Sequence, residues 1–219
     1  MPIAELRFAA VSRNFRTLNR QSPIDNRKYR AFFIDRDGTL NEDIGYVSTP
    51  DELILYPWAG EAVRLVNEAG FKAIVITNQS GIARGMYSEQ TLGAIHERMI
   101  AELARDGARI DAVYYCPHHP EIGAVDYRKA CDCRKPRTGM LDEAAREHNI
   151  DLPRSFVIGD KSSDILLAEN AGAQSALVLT GYGRETLAHA ERRPCQPSFV
   201  AENLLLAVKQ ILDTELPRR

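Results

Sequence analysis

The chain has 219 residues, of which 44% are hydrophobic and 26% charged, and its formal net charge is -2. These values are typical of a globular protein and give no electrostatic reason to expect nucleic acid or an anionic membrane as a partner. No apolar run reaches the roughly 18 residues of a membrane helix, and the first 30 residues lack the apolar core of a secretion signal. We therefore expect a cytoplasmic protein that binds neither nucleic acid nor a membrane.

The first 30 residues are rich in arginine and match none of the patterns found further along. Arginines stand at positions 7, 13, 16, 20, 27 and 30, against only Glu5 and Asp25. A transit peptide has such a composition, but a surface helix or a frayed terminus is the more common origin. We treat residues 1–28 as an extension of unknown role, followed by one domain over residues 29–219.

From residue 31 onward, apolar runs typical of strands alternate with helical patterns. The predicted strands are residues 31–35, 71–77, 111–116, 155–160 and 175–180. The spacing of apolar residues predicts helices over residues 60–70, 88–106, 139–149, 163–172 and 201–212, with Ser88 as the N-cap of the second helix. This alternation predicts a doubly wound, mostly parallel α/β sheet.

Polar side chains end three of the predicted strands. Asp35 ends the first strand and is followed by Asp37, while Thr77 ends the second strand and Asp160 the fourth. Ligands of such sheets bind at the carboxyl ends of the strands. Mg²⁺ is the usual partner of one or two carboxylates together with phosphate oxygens, and Asp160, with Asp164 one helical turn further on, adds a third candidate ligand. A pair of solvated turn acids is the alternative for Asp35 and Asp37 alone.

Three of the four cysteines cluster at the longest stretch without periodicity, residues 117–137: Cys116 directly precedes it, and Cys131 and Cys133 lie within it. Without a secretion signal, such a cluster is more typical of a metal site than of disulfides. Three thiols and one imidazole suit tetrahedral Zn²⁺ and leave no open position. The candidate ligands are Cys116, Cys131, Cys133 and one of the two histidines, His118 or His119. Buried thiols beside two surface histidines are the alternative.

Four motifs, in order, make the chain similar to haloacid dehalogenase-type phosphatases. DRDGT at 35–39 resembles the first motif and IVITN at 74–78 the second. The lysine of CRKP at 133–136 resembles the third motif, and GDKSSD at 159–164 the fourth. The resemblance covers about residues 30 to 180 and implies a Rossmann-like phosphatase fold. The segment between Asp43 and Thr77 is too short for a large cap domain, so we expect a capless site.

The resemblance implies a role for each motif. Asp35 is expected to be the nucleophile that forms an aspartyl-phosphate, and Asp37 the general acid and then the general base. Thr77 and Lys135 are expected to hold the phosphoryl oxygens. Mg²⁺ is expected to bind Asp35, Asp160 and the backbone carbonyl of Asp37.

The resemblance also selects the zinc ligands, because the family motif places its nitrogen ligand at the first histidine. The implied Zn²⁺ set is Cys116, His118, Cys131 and Cys133. The last of these cysteines runs directly into Arg134 and Lys135. A zinc ion there would hold the phosphate-binding lysine on an otherwise irregular segment.

Two groups of the family carry this cysteine loop, and they differ in substrate. One hydrolyses D-glycero-D-manno-heptose 1,7-bisphosphate at the 7-position, and the other hydrolyses histidinol phosphate. The longer matches, such as TNQSGIARG and CDCRKP, resemble the first group, so we expect a small phosphorylated sugar as the substrate. The sequence leaves the oligomeric state open, with a monomer favoured. Histidinol phosphatase and a non-catalytic zinc-loop binding module are the alternatives. The implied substrate contacts are Asp43, Ile44, Gly45, Tyr46, Thr77, Asn78, Gln79, Ser80, Arg134, Lys135 and Lys161.

Overall fold

A seven-stranded sheet, parallel in every pair of neighbours, lies at the centre of the fold. The computed structural model describes residues 8–10, 28–189 and 195–215. The strands in chain order are β1 (Phe8–Ala10), β2 (Ala31–Ile34), β3 (Lys72–Asn78), β4 (Ala112–Cys116), β5 (Phe156–Gly159), β6 (Gln174–Val178) and β7 (Phe199–Ala201). Their order in space is β1-β4-β3-β2-β5-β6-β7.

Helices cover both faces of this sheet. In the described residues they are α1 (Ala59–Glu68), α2 (Glu89–Arg105), α3 (Gly139–His148), α4 (Ser162–Ala171), α5 (Gly183–Ala188) and α6 (Leu204–Glu215). The central strand β2 sends Phe32 and Ile34 into the core shared with α1, α2 and α6. Ala31 and Phe33 point into the core shared with α3 and α4. Because both faces are buried, β2 is apolar throughout rather than alternating.

The doubly wound parallel sheet predicted from the sequence is confirmed, and every predicted strand and helix is present. Ser88 caps α2, since its hydroxyl accepts a hydrogen bond from the Thr91 N–H at 3.0 Å. Gly172 follows α4 in the left-handed region, with φ of +69°. A glycine adopts this conformation without the steric cost that a Cβ would add.

The predicted first residue of the last helix was wrong. Ala201 lies in β7, and α6 begins only at Leu204. Three-residue edge strands such as β1 and β7 are too short to give a periodic pattern, and the six-residue α5 was missed for the same reason. The helix or transit peptide considered for residues 1–28 falls mostly outside the described residues, apart from β1, which pairs with β4.

The order of the strands favours a ligand site at the carboxyl end of β2. The chain proceeds from β2 to β3 and β4 on one side and to β5, β6 and β7 on the other, so the strand order reverses between β2 and β5. Open α/β sheets bind ligands at such a reversal. Residues 35–58, between β2 and α1, carry a 3₁₀ turn at Pro50–Glu52 and no cap domain. None of the described helices has the length and apolar character needed to cross a membrane.

Candidate active site

Asp35 and Lys135 form a buried ion pair where β2 ends. The Lys135 Nζ lies 2.8 Å from Asp35 Oδ1 and 2.6 Å from Asp164 Oδ1. Burial would lower the pKa of Lys135, but the two carboxylates outweigh it and raise that pKa, so the amine is firmly charged. Burial raises the pKa of Asp35 to about 6, against the opposing effect of Lys135. A carboxylate at this position is poorly hydrated and faces a fixed cation.

Three carboxylates meet at the ends of β2 and β5 and in the first turn of α4. Oxygen atoms of Asp35, Asp160 and Asp164 all lie within 4.8 Å of one another. Burial, followed by the charge of Asp35, raises the pKa of Asp160 to about 8. Within the described chain, Asp160 Oδ1 is buried and has no hydrogen-bond donor. Crowded acids with an unsatisfied oxygen fit a divalent cation such as Mg²⁺, which takes oxygen ligands.

Two glycines make room for the Asp160 carboxylate. A Cβ added at Gly38 or at Gly181 would lie 2.3 Å from Asp160 Oδ2, and both residues have positive φ, +86° and +51°. The same oxygen accepts a hydrogen bond from the Tyr182 N–H at 2.8 Å. The glycine of the first motif is therefore required by close packing against the fourth motif.

Asp37 is held by several donors at once. The Arg36 guanidinium donates to both of its oxygens at 2.9–3.0 Å, and the amides of Asn41 and Gln79 donate at 3.1 and 2.8 Å. Burial would raise the pKa of Asp37, but the Arg36 charge and these hydrogen bonds outweigh it and lower that pKa. The side chain of Asp37 keeps 18% of its surface exposed, while that of Arg36 is fully buried. Asp37 is thus fixed at the rim with its partners behind it.

The residues at the end of β3 and directly after it divide into two groups. Thr77 is buried beside the site, and Ser80 is partly exposed. The Asn78 amide accepts from the Lys135 N–H at 3.1 Å and donates to the Lys135 carbonyl at 3.3 Å. The buried Gln79 side chain forms hydrogen bonds with four side chains of the protein, those of Arg36, Asp37, Thr77 and Tyr87. Asn78 and Gln79, expected to contact substrate, both hydrogen-bond protein groups: Asn78, half-buried, holds the Lys135 backbone, and Gln79, buried, holds side chains.

The loop at residues 43–46 forms the opposite rim. Asp43 pairs with Lys161 at 2.9 Å, and the Lys161 Nζ lies 4.8 Å from the centre of the Tyr182 ring. The neighbouring Ile44 is exposed to solvent at 49% and Gly45 has φ of +89°. Tyr46 is half-buried against the aromatic cluster around Tyr87 and Tyr115. The structure thus brings the predicted substrate loop and Lys161 to one place.

The four predicted zinc ligands converge after β4. The distances between Cys116, Cys131 and Cys133 sulfurs are 3.2–3.5 Å, and His118 Nδ1 lies 3.2 Å from Cys133 Sγ and 3.8 Å from Cys116 Sγ. Sulfur ligands about 2.3 Å from a tetrahedral ion are separated by about 3.8 Å, only a few tenths of an ångström more than here, so the donor set and its size fit Zn²⁺. His119 instead accepts backbone N–H groups of residues 121 and 122.

Arg134 and Lys135 leave this cluster in different directions. Arg134 is half-buried and donates from Nη1 to the carbonyl of His118 at 3.2 Å, which anchors it to the cysteine loop. Lys135 enters the carboxylate group instead. Sequence analysis assigned no role to two further residues of the site, Arg36 and Tyr182, although Arg36 lies within the DRDGT motif. Asp164, the last residue of GDKSSD, was named from its helical spacing to Asp160.

Known proteins resemble this chain over most of its length. A family model described as HAD-hydrolase-like matches residues 132–207. D-glycero-D-manno-heptose-1,7-bisphosphate 7-phosphatase of Thermosynechococcus vestitus is 45% identical over 192 residues, covering 86% of this chain and 98% of the relative. The corresponding D-glycero-beta-D-manno enzyme of Haemophilus ducreyi is 43% identical over 75% of this chain and 90% of the relative. This chain belongs to the haloacid dehalogenase-like phosphatases.

A solved structure agrees with the assignment. The D,D-heptose 1,7-bisphosphate phosphatase of B. bronchiseptica, crystallised with magnesium and phosphate, superposes with a TM-score of 0.75 at 38% identity. The superposition covers 84% of this chain and 99% of that one. As a haloacid dehalogenase-like phosphatase, the chain is a hydrolase of phosphate monoesters, and phosphatases of this family use a metal. The non-catalytic binding module is therefore set aside.

Proposed function

We propose that the protein removes the 7-phosphate of D-glycero-D-manno-heptose 1,7-bisphosphate through an aspartyl-phosphate on Asp35. The observation that carries the mechanism is the buried Asp35–Lys135 pair beside three convergent carboxylates where the strand order reverses. The substrate is supported by relatives that are 38–45% identical and bear that name. These supports are independent, since one concerns the reacting group and the other the rest of the substrate.

In the first half of the reaction, an Asp35 oxygen forms a bond to phosphorus while the bond from phosphorus to the C7 oxygen breaks. Asp37 gives a proton to that departing oxygen, which leaves as an alcohol. Thr77 and Lys135 hold the equatorial oxygens, where negative charge accumulates. Mg²⁺, when bound by Asp35, Asp160 and the Asp37 carbonyl, supplies positive charge that offsets repulsion between phosphate and nucleophile.

In the second half, water attacks the aspartyl-phosphate and Asp37 accepts a proton from it. The bond between phosphorus and the Asp35 oxygen breaks, which releases inorganic phosphate and restores the carboxylate. Asp37 therefore returns to its starting state after each cycle. Its position at the rim, two residues from Asp35, allows it to reach both the leaving oxygen and the water.

We propose that Zn²⁺ occupies the cluster of Cys116, His118, Cys131 and Cys133 and acts structurally. Four protein ligands leave no open position for a reaction. Cys133 precedes Lys135 by two residues, so a metal there fixes the backbone that delivers the lysine. The Asn78 hydrogen bonds to the Lys135 backbone hold the same segment from β3.

We assign the sugar and the second phosphate to residues at the rim of the site. Arg134 and Lys161 are the cations available to a second phosphate or to sugar hydroxyls, and the loop at residues 43–46 lies beside Lys161. Ser80 completes this set as a partly exposed hydroxyl. The cytoplasmic location, the monomeric state and the assignment of residues 1–28 as an extension of unknown role stay predictions.

The deciding experiment is phosphate release from heptose 1,7-bisphosphate and from histidinol phosphate, each with and without added Mg²⁺. We expect kcat/KM to be at least about a hundredfold higher on the bisphosphate, because only that substrate uses the distal cations. Activity should depend on Mg²⁺ for both. Equal or greater efficiency on histidinol phosphate would assign the protein to the other group.

A further inference from the structure

Behind Asp37 lies a buried polar network that the proposed chemistry does not use. Its centre is Gln79, which is 2% exposed. The Gln79 Nε2 lies 2.8 Å from Asp37 Oδ2 and 2.7 Å from Thr77 Oγ1. Its Oε1 accepts from the Tyr87 hydroxyl at 2.6 Å and from Arg36 Nη2 at 3.2 Å. One amide thus touches both the acid–base residue and the phosphoryl-binding hydroxyl.

The orientation of this amide follows from its partners. Arg36 can only donate hydrogen bonds, and an ionised Asp37 can only accept them. The Gln79 oxygen must therefore face Arg36, and its nitrogen must face Asp37. The Tyr87 hydroxyl lies at the oxygen end, so it donates. A reversed amide would put an N–H against the guanidinium and an oxygen against the carboxylate, losing both contacts.

The two oxygens of Asp37 have different surroundings. Oδ1 accepts from Arg36 Nε and Nη2 and from Asn41. Within the described residues, Oδ2 accepts from Arg36 Nη2 and from Gln79 alone. The Gln79 amide that donates to Oδ2 also donates to Thr77, the residue proposed to hold the phosphoryl group. This shared amide fixes the position of Oδ2 relative to Thr77.

We infer that Gln79 and Tyr87 are positioning residues for proton transfer by Asp37. The amide of Gln79 fixes Asp37 Oδ2 relative to Thr77, and the Tyr87 hydroxyl fixes the amide. This inference rests on the proposed function, in which Asp37 is the acid and base. Two residues from the loop after β3 thereby set the geometry of a side chain that follows β2.

Mispositioning of Asp37 has a kinetic signature that general destabilisation of the fold does not have. An alkyl alcohol is a poor leaving group and needs the Asp37 proton, whereas 2,4-dinitrophenolate leaves without one. The ratio kcat/KM reports steps up to release of the leaving group, so mispositioned Asp37 lowers it only for the alkyl substrate. The second half-reaction still needs Asp37 as base, so a burst of dinitrophenolate should precede slow turnover.

The test variant is Tyr87→Phe, which removes the hydroxyl that donates to Gln79 Oε1. In the part of the chain that the structure describes, this hydroxyl has no hydrogen bond to Thr77 or Asp37, so the change reaches them only through Gln79. We expect about a tenfold loss of kcat/KM on the heptose bisphosphate, or on another primary-alkyl phosphate that the enzyme hydrolyses, and less than about a twofold loss on 2,4-dinitrophenyl phosphate. A burst of about one dinitrophenolate per active site should appear. Gln79→Met, which keeps the volume, should show the same selectivity with a larger loss.

The matched control is Tyr115→Phe, which removes a hydroxyl from the same aromatic cluster, where it donates to Glu89 at 2.7 Å. It should leave both substrates unchanged. Asp37→Asn is the reference and should give the selective pattern at its full size, about 10²- to 10⁴-fold. If Asp37→Asn loses both substrates alike, the proposed role of Asp37 fails. If Asp37→Asn is selective but Tyr87→Phe and Gln79→Met are neutral or lose both substrates equally, the positioning inference alone fails.

Discussion

Asp35 illustrates how burial and charge are balanced at a single residue. The residue is 4% exposed, and burial alone favours the neutral acid, which cannot attack phosphorus. Lys135, at 2.8 Å, restores part of the preference for the charged form. The lysine is itself shared with Asp164, so the cation does not depend on Asp35 alone. The nucleophile can therefore be changed without leaving Lys135 unpaired.

Replacing the nucleophile gives the first residue-level prediction. Asp35→Asn keeps the shape but removes the attacking charge, so phosphate release should fall by at least about 10³-fold. Substrate should bind equally well or more tightly, because repulsion with the phosphate falls. Activity assays and calorimetric titration of the bisphosphate measure the two effects. Turnover near the wild-type rate would show that another group attacks.

The neighbouring cations Arg134 and Lys135 give the second prediction, because we propose that they bind different parts of the substrate. Arg134→Ala should lower kcat/KM on the bisphosphate by about ten- to a hundredfold, as expected for one charged hydrogen bond, with little change on a small monophosphate. Lys135→Ala should harm both substrates alike, since Lys135 serves the phosphoryl group. Equal losses for Arg134→Ala would place Arg134 with the reacting atoms and leave specificity to residues 43–46.

At the scale of elements, the irregular segment between β4 and α3 is fixed at several points. Cys116 ends β4, and Cys133 lies beside Lys135. Gly123 packs so closely on Ala83 that an added Cβ would meet its carbonyl oxygen at 1.9 Å. The Tyr127 hydroxyl donates to Glu89 of α2 at 2.7 Å. These contacts secure the middle of the loop, while the proposed zinc site would secure the part that carries the lysine.

Removing one thiol tests this arrangement. Cys131→Ser should lose the metal and lower kcat on both substrates by about tenfold or more, because the backbone before Lys135 loses its anchor. Elemental analysis should find about one Zn²⁺ per wild-type chain and much less in the variant. Cys195→Ser, outside the cluster, is the control and should keep both zinc and activity. A wild-type protein that contains no zinc when made without chelators would contradict the prediction.

At the scale of the whole molecule, local motifs were predictable from the sequence and their partners were not. Asp35, Asp37 and Asp160 follow apolar strands, so the fold rule alone brings them to one edge of the sheet. Gln79 was expected to face substrate, but its partner Arg36 is 43 residues away in the chain, and no periodicity encodes that contact. Asn78 likewise binds the backbone of Lys135, 57 residues away. Side-chain direction depends on such distant partners.

The carboxylate group also links the site to the stability of the whole fold. The folded-state pKa values of Asp35 and Asp160, about 6 and about 8 without metal, exceed the ordinary value of 3.8. The folded protein then binds more protons than the unfolded chain, so stability is fully present near pH 4 and is lost as pH rises to about 8. A bound cation should reverse this trend, because it favours the charged carboxylates.

Thermal unfolding between pH 6 and 8.5 tests this final prediction, with Mg²⁺ removed by dialysis so that thiolate-bound zinc stays in place. At pH 8 without Mg²⁺, Asp160→Asn should raise Tm by roughly 4–8 °C, equivalent to about 2 kcal/mol for a domain of this size, and the gain should shrink towards pH 6. Added Mg²⁺ should raise the Tm of the wild type but not of the variant, since binding only to the folded state stabilises it. Equal stabilisation of both proteins by Mg²⁺ would show that the ion binds away from Asp160.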